Sequence, residues 1–369
     1  MVVSRAEKKS NVIVVMSKNF QSFLVVVVFA LSAILTQAQT TGASVAAIPQ
    51  GMITFAIPHG SISYLSLPLT NNPTYTGSVS AMTSTTISVG DSPAPFTSSL
   101  TSAGSPYFVK FLSGNEMGRV LLVTGNTTSS LTLDATDNNS GSSVFLDTTG
   151  FNVQTGDTFE IFPGDTLASV FGAGTTQSPL LLTGATNVGM SDVVCLLTKC
   201  SMPAATYYFN TNTGTWVQYG SKVNANNTVI YPYSALTIAR RANHPDTTLV
   251  LGGRVAEVAP QIKVIGNETV FTSTHYAADV ALSKLQFGAN WVTGTSVGTA
   301  DTLGVWNPSL NHFESYYQMP DSTWRKYPDA TTDQSNTVIT AGSLTTIAKR
   351  GLVTGASTFI QSPLPYSLD

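Results

Sequence analysis

The sequence predicts an all-β fold, with a small N-terminal barrel- or sandwich-like domain followed by two tandem β-sandwich-like repeats, each opened by a short helix. Three observations lead there. Val, Ile, Thr, Tyr and Phe, which suit a pleated and half-buried surface, are abundant, while charged residues make up only 10% of the 369. That balance favours ordered β-structure over disorder. Short runs of these residues are also cut at regular intervals by Gly, Asn and Asp turns. Finally, residues 192–241 return at 301–350, 109 positions later, with fifteen identities. Self-similarity at a fixed period marks a structural unit used more than once.

The first element in order is an address. Arg5, Lys8, Lys9 and Lys18 precede the apolar run 23–35, and Thr36-Gln37-Ala38 places small residues at −3 and −1. This is the pattern of a secretory signal peptide over residues 1–38, with Ala43 and Ala47 as other cleavage points and Met16 as an alternative start. As a helix, 13 apolar residues reach about 20 Å, short of a hydrocarbon core of roughly 30 Å. A secreted or extracytoplasmic location (cell surface or periplasm) follows, with no transmembrane helix expected in the mature chain. Removing 1–38 takes four of the 17 Lys and Arg and one of the 20 Asp and Glu, leaving 13 against 19, a net of −6. Such a surface does not attract nucleic acid or anionic membranes.

Residues 39–163 read as the N-terminal β domain. Strands are expected at 52–57, 61–69, 77–82, 85–89, 107–112, 119–123, 130–133 and 158–162, with a hairpin over 119–134 about a Gly125-Asn126 turn. The first repeat is expected over 164–258. Asp165 to Gly172 has a capping residue, apolar positions at helical spacing and a terminal Gly, so it predicts the opening helix. Residues 279–288 hold the matching place in the second repeat, expected over 272–369, and 259–271 is expected to link the two and to add a strand. Within each copy the landmarks run in one order: Tyr207-Tyr208, Trp216, Tyr219 and Arg240-Arg241, then Tyr316-Tyr317, Trp324, Tyr327 and Lys349-Arg350.

Ser63-Tyr64-Leu65-Ser66-Leu67-Pro68-Leu69, the segments 107–126 and 156–172, and the series Tyr207-Tyr208-Phe209…Trp216…Ile238-Ala239-Arg240-Arg241 carry a resemblance. In this order they resemble a family of exported bacterial all-β proteins of unknown function that occur as many paralogues per genome. The resemblance covers most of the mature chain through residue 255, and the second copy is an addition to the family's shorter pattern. It implies an exported β protein and carries no functional residues.

The chemistry-bearing residues give no catalytic set and no cofactor. There is no His-Glu-x-x-His and no Gly-rich phosphate loop, and His59, His244, His275 and His312 share no ligand spacing. Residues 134–141 place Asp137, Asn139 and Gly141 at alternate positions, as a calcium loop would, yet lack the later bidentate Glu, so no metal site is expected. Four Asn-x-Ser/Thr matches, at Asn126, Asn138, Asn226 and Asn267, fit Asn-rich turns. Cys195 and Cys200, replaced by Gly304 and Ser309 in the second copy, read as a disulfide across a hairpin turn in an oxidising compartment. Trp216, Tyr219, Trp324 and Tyr327 are the candidate ligand-binding residues, since aromatic faces stack on sugar rings. Burial of both tryptophans would assign them to packing instead. The expected function is that of a non-catalytic exported surface or envelope protein, structural or adhesive, with self-association or cell-surface glycans as partners. A secreted carbohydrate-binding protein using the duplicated aromatics is the alternative.

Overall fold

The computed structural model describes residues 48–97, 100–101, 106–134, 152–197, 205–354 and 356–367. The expected signal peptide, the loop at 135–141 and Cys200 lie outside the described residues, and Ile48–Asp369 forms one unit. The fold is all-β, and strands appear at all eight places expected before residue 163.

The chain begins with two strands, β1 (Gln50–Ile57) and β2 (Ile62–Ser66). It then builds a separate seven-stranded sheet from β3 (Tyr75–Ser78), β4 (Ala81–Met82), β5 (Thr86–Ser88), β6 (Tyr107–Phe111), β7 (Val120–Asn126), β8 (Ser130–Leu133) and β9 (Thr158–Pro163), in the order β3-β9-β6-β7-β8-β5-β4. The two edge strands, β3 and β4, are parted only by Val79 and Ser80 in the chain, so the sheet curls back on itself as a barrel-like layer. Val109, Phe111, Leu121, Leu131, Phe159 and Ile161 fill its interior. A bulge at Thr124, between Val123 and Gly125, bends β7 as closure requires.

After the barrel come β10 (Asp165–Thr166), the helix α1 (Leu167–Phe171), β11 (Val193–Leu197), β12 (Ala205–Asn210), β13 (Thr215–Gln218), β14 (Val229–Ile230), β15 (Ala235–Ala239) and β16 (Thr247–Arg254). The second copy follows as β17 (Gln261–Ile265), β18 (Thr269–Thr272), β19 (Val280–Ala281), β20 (Thr302–Asn307), β21 (His312–Gln318), β22 (Trp324–Lys326), β23 (Val338–Ile339), β24 (Thr345–Ala348) and β25 (Ser357–Gln361).

Strand pairing is the same in both copies. The first has the sheets β13-β12-β11-β15-β2, β1-β16 and β10-β14, and the second has β22-β21-β20-β24-β18, β17-β25 and β19-β23. β1 and β2 therefore stand where β17 and β18 stand. They complete the first copy, and the barrel is inserted between β2 and β10. The cores agree with the pairing: Ile57, Leu65 and Leu67 join Val194, Trp216 and Ile238, as Val264, Ile265 and Val270 join Leu303, Trp324 and Ile347. The boundary expected at 163/164 thus leaves out the two opening strands of the first copy, and the segment expected as a linker supplies the two opening strands of the second. The chain enters and leaves the barrel at neighbouring points, where Asn71 Nδ2 donates to the Pro163 carbonyl at 3.1 Å. A buried charge cluster fastens the barrel to its host. Arg254 at the end of β16 pairs with Glu160 of β9 and with Glu257 at 2.5 Å. Lys110 lies buried beside them, its ammonium pushed down to about 8 by loss of hydration, which the nearby Glu160 only partly offsets.

The two opening helices differ. In the first copy Thr166 Oγ1 accepts from the Ser169 amide while Ser169 Oγ accepts from the Thr166 amide, a reciprocal cap that stabilises five helical residues. The pairings Asp165↔Ile230 and Val280↔Ile339 align Thr166 with Ala281 and Ser169 with Lys284. With neither capping side chain, the second copy forms only a 3-10 turn, Leu282–Lys284. Leu167 and Leu282 are nonetheless both fully buried.

Candidate functional site

Trp216 and Trp324 are 0% exposed. Each lies on the inner face of its sheet, against Phe171 and Phe209 in the first copy and against Trp291 in the second. Trp216 Nε1 donates to the Gly172 carbonyl at the end of α1, at 2.7 Å. The two indoles are thus packing residues, enclosed on all sides. Tyr219 and Tyr327, by contrast, are 65% and 59% exposed, one beside the edge strand of each copy. The four residues do not converge.

The basic pairs also have a definite task. Arg240 Nη1 lies 3.2 Å from Asp192, and Lys349 Nζ lies 2.8 Å from Asp301, all four side chains buried. Each carboxylate also accepts backbone amides, from Thr183 and Arg241 in the first copy and from Val292 and Arg350 in the second. His244 adds a contact to Asp192 at 2.6 Å. This tie joins the start of one central strand to the end of its neighbour, so these cations are internal fasteners and not rim charges.

No two of the four histidines share a site. His59 is exposed and bonded to Asp246 at 2.6 Å, His312 faces the Leu310 carbonyl, and His275 is buried against Tyr233, its imidazole pushed down to about 3 by burial. Among the described residues no three His, Cys, Asp or Glu side chains gather as a metal ion would require. Cys195 sits half-buried on β11, its sulfur 3.5 Å from Thr206 Oγ1, and its expected partner Cys200 is outside the described residues. One pattern was passed over in reading the sequence: Gly294-Thr295-Ser296-Val297-Gly298 has the spacing of a hydrolase nucleophile turn. That turn needs a strand before it and a helix after it, whereas Ser296 occupies an exposed turn closed by Thr299 and Ala300 amides onto its own carbonyl.

Among the described residues, a feature with the shape of a binding site lies between the copies. A cleft of about 670 Å³ is walled by β1, the β1–β2 turn and β2 on one side, and by β20, β21 and residues 337–343 on the other. That volume is in the range of small-molecule sites. The copies meet there through main chain, with the Ser66 amide donating to the Gly342 carbonyl at 2.9 Å and a bridge between Leu65 and Ser343. Tyr64 of one wall packs on Trp306 of the other with ring centroids 3.8 Å apart, and Phe313 meets both rings at 5.2–6.3 Å. Glu314 is the one acid among the described lining residues. Burial opposes its ionisation, but Lys326 at 2.6 Å and the Tyr316 hydroxyl at 3.0 Å prevail and hold the carboxyl below its usual range. Sequence reading missed this aromatic contact because Tyr64 and Trp306 belong to different copies and neither is duplicated: their register counterparts are Phe271 and Leu197.

Compared with known proteins, the chain matches no family model, no curated protein and no solved structure.

Proposed function

We propose that this chain is a non-catalytic exported protein of the cell surface or envelope, with an adhesive or structural role, as its resemblance to exported bacterial β proteins also suggests. The observation that carries the reading is the use made of the shared landmarks. The duplicated Trp, the Tyr-Tyr strands and the Asp–Arg or Asp–Lys ties all lie inside their copies, where they hold strands together. Duplication of such a unit lengthens a surface and, in this chain, creates a cleft between the copies. The single, ion-paired carboxylate in that cleft supports binding over glycoside hydrolysis, which uses two carboxyl groups across the substrate.

Two assays test the reading. Expression of the full chain in a bacterial host followed by fractionation is expected to place it outside the cytoplasm, with a new N-terminus after Ala38. The purified mature chain is expected to co-sediment with bacterial envelope preparations or to self-associate in light scattering. A monomer at every concentration that stays in the supernatant would overturn the proposal.

A further inference from the structure

We propose that the cleft between the copies is a binding site for a neutral polysaccharide chain, with the Tyr64–Trp306 pair as its stacking platform. This names the ligand class for the adhesive reading above and rests on it.

Three properties of the walls select a sugar. A pyranose ring presents C–H groups on its faces and hydroxyls round its edge, so it needs an aromatic face bordered by hydrogen-bonding groups. Trp306 and Tyr64, packed on one another, both line the cleft, bordered by the hydroxyls of Ser61, Ser63, Thr337 and Thr340 and the amide of Asn307. Secondly, the lining has no surplus charge, because Glu314 is neutralised by Lys326. An anionic or cationic ligand would be left without a counter-charge, while a neutral one needs only hydrogen-bond partners for its hydroxyls. Thirdly, an extended peptide would dock by adding to a free strand edge. The main chain of β2 is engaged at Leu65 and Ser66 by Ser343 and Gly342 where the cleft closes, which shortens the edge a peptide could extend and favours recognition by side chains.

The site is also single. Thr340 is exposed in the cleft, but its counterpart in the first copy, Tyr231, packs on Phe108 of the inserted barrel with centroids 5.3 Å apart. The insertion occupies the equivalent surface of the first copy and leaves the second copy's surface open for the ligand.

The four tryptophans make the test direct, since Trp216, Trp291 and Trp324 are buried and Trp306 alone is half-exposed. Acrylamide quenching of the mature chain's fluorescence therefore reports on Trp306. Cellohexaose, xylohexaose, maltohexaose and chitohexaose are titrated by quenching and by calorimetry, and a tryptic digest of casein serves as the peptide probe. At least one sugar is expected to shield Trp306 and to bind, with affinity falling roughly tenfold or more in Trp306→Ala. Thr340→Arg, a substitution at an exposed position, is expected to block binding even if Trp306→Ala fails to fold. The proposal is overturned if no sugar binds at millimolar concentration, if binding survives both substitutions, or if only the peptide digest shields Trp306. Envelope co-sedimentation without sugar binding would remove this proposal and leave the adhesive reading standing. Sugar binding without co-sedimentation would do the reverse.

Discussion

Asp192 and Asp301 each hold a buried cation together with two backbone amides, which is why both copies keep an Asp at the start of one strand and a basic pair at the end of the next. Removing one partner leaves the other charge buried and uncompensated. Asp192→Ala and Asp301→Ala are each expected to cost about 3–5 kcal/mol in urea denaturation, whereas Asp246→Ala, at an exposed pair, should change little. The sequence showed the Asp and the basic pair as landmarks but not their contact, because they sit on antiparallel neighbours far apart in the chain. A second residue-scale prediction concerns His275. Its ring stacks on Tyr233 at 4.7 Å and contacts Thr272 Oγ1 at 2.9 Å, and burial lowers its pKa from 6.5 to about 3. The folded state therefore resists protonation that the unfolded chain accepts below 6.5. Stability from the neutral ring is complete above that value and is lost as pH falls from 6.5 towards 3. His275→Gln should lose that part of the acid sensitivity, so the stability difference between variant and parent should shrink or invert between pH 7 and pH 4.

At the scale of elements, the same hydrogen-bonded framework tolerates a helix in one copy and a 3-10 turn in the other. The Leu167 and Leu282 amides donate to Thr228 and Thr337 carbonyls in matching positions, so only the capping side chains differ. Thr166→Ala is expected to lower stability by about 1 kcal/mol and to speed hydrogen exchange in α1, with Ala281→Ser leaving the second copy nearly unchanged. The strands and their order were legible because alternating β-rich runs and Gly or Asn turns mark them locally. The equivalence of β1 and β2 with β17 and β18 was not. Tyr64 and Leu65 face the same register as Phe271 and Thr272, and a strand asks only for shape and polarity there, so within β2 only Ser66 meets its own residue type, Ser273, too little to reveal the match.

As a whole, the molecule is a twofold-repeated unit with a barrel inserted in its first copy and a cleft between the copies. Insertion into a host domain requires that the inserted ends lie together and that each part has its own core, and both conditions are met. The cleft was not legible in the sequence, because it depends on which surfaces of the two copies meet. Excision tests the architecture most directly. Replacing residues 72–162 with a short Gly-Ser linker removes the barrel and keeps all four tryptophans. If β1 and β2 belong to the first copy, the shortened chain should unfold cooperatively in urea, at lower stability for want of the Glu160–Arg254 tie, with the native fluorescence of the parent. Emission matching the unfolded chain, or a transition without cooperativity, would show that the barrel is part of the first copy's core and would contradict the account.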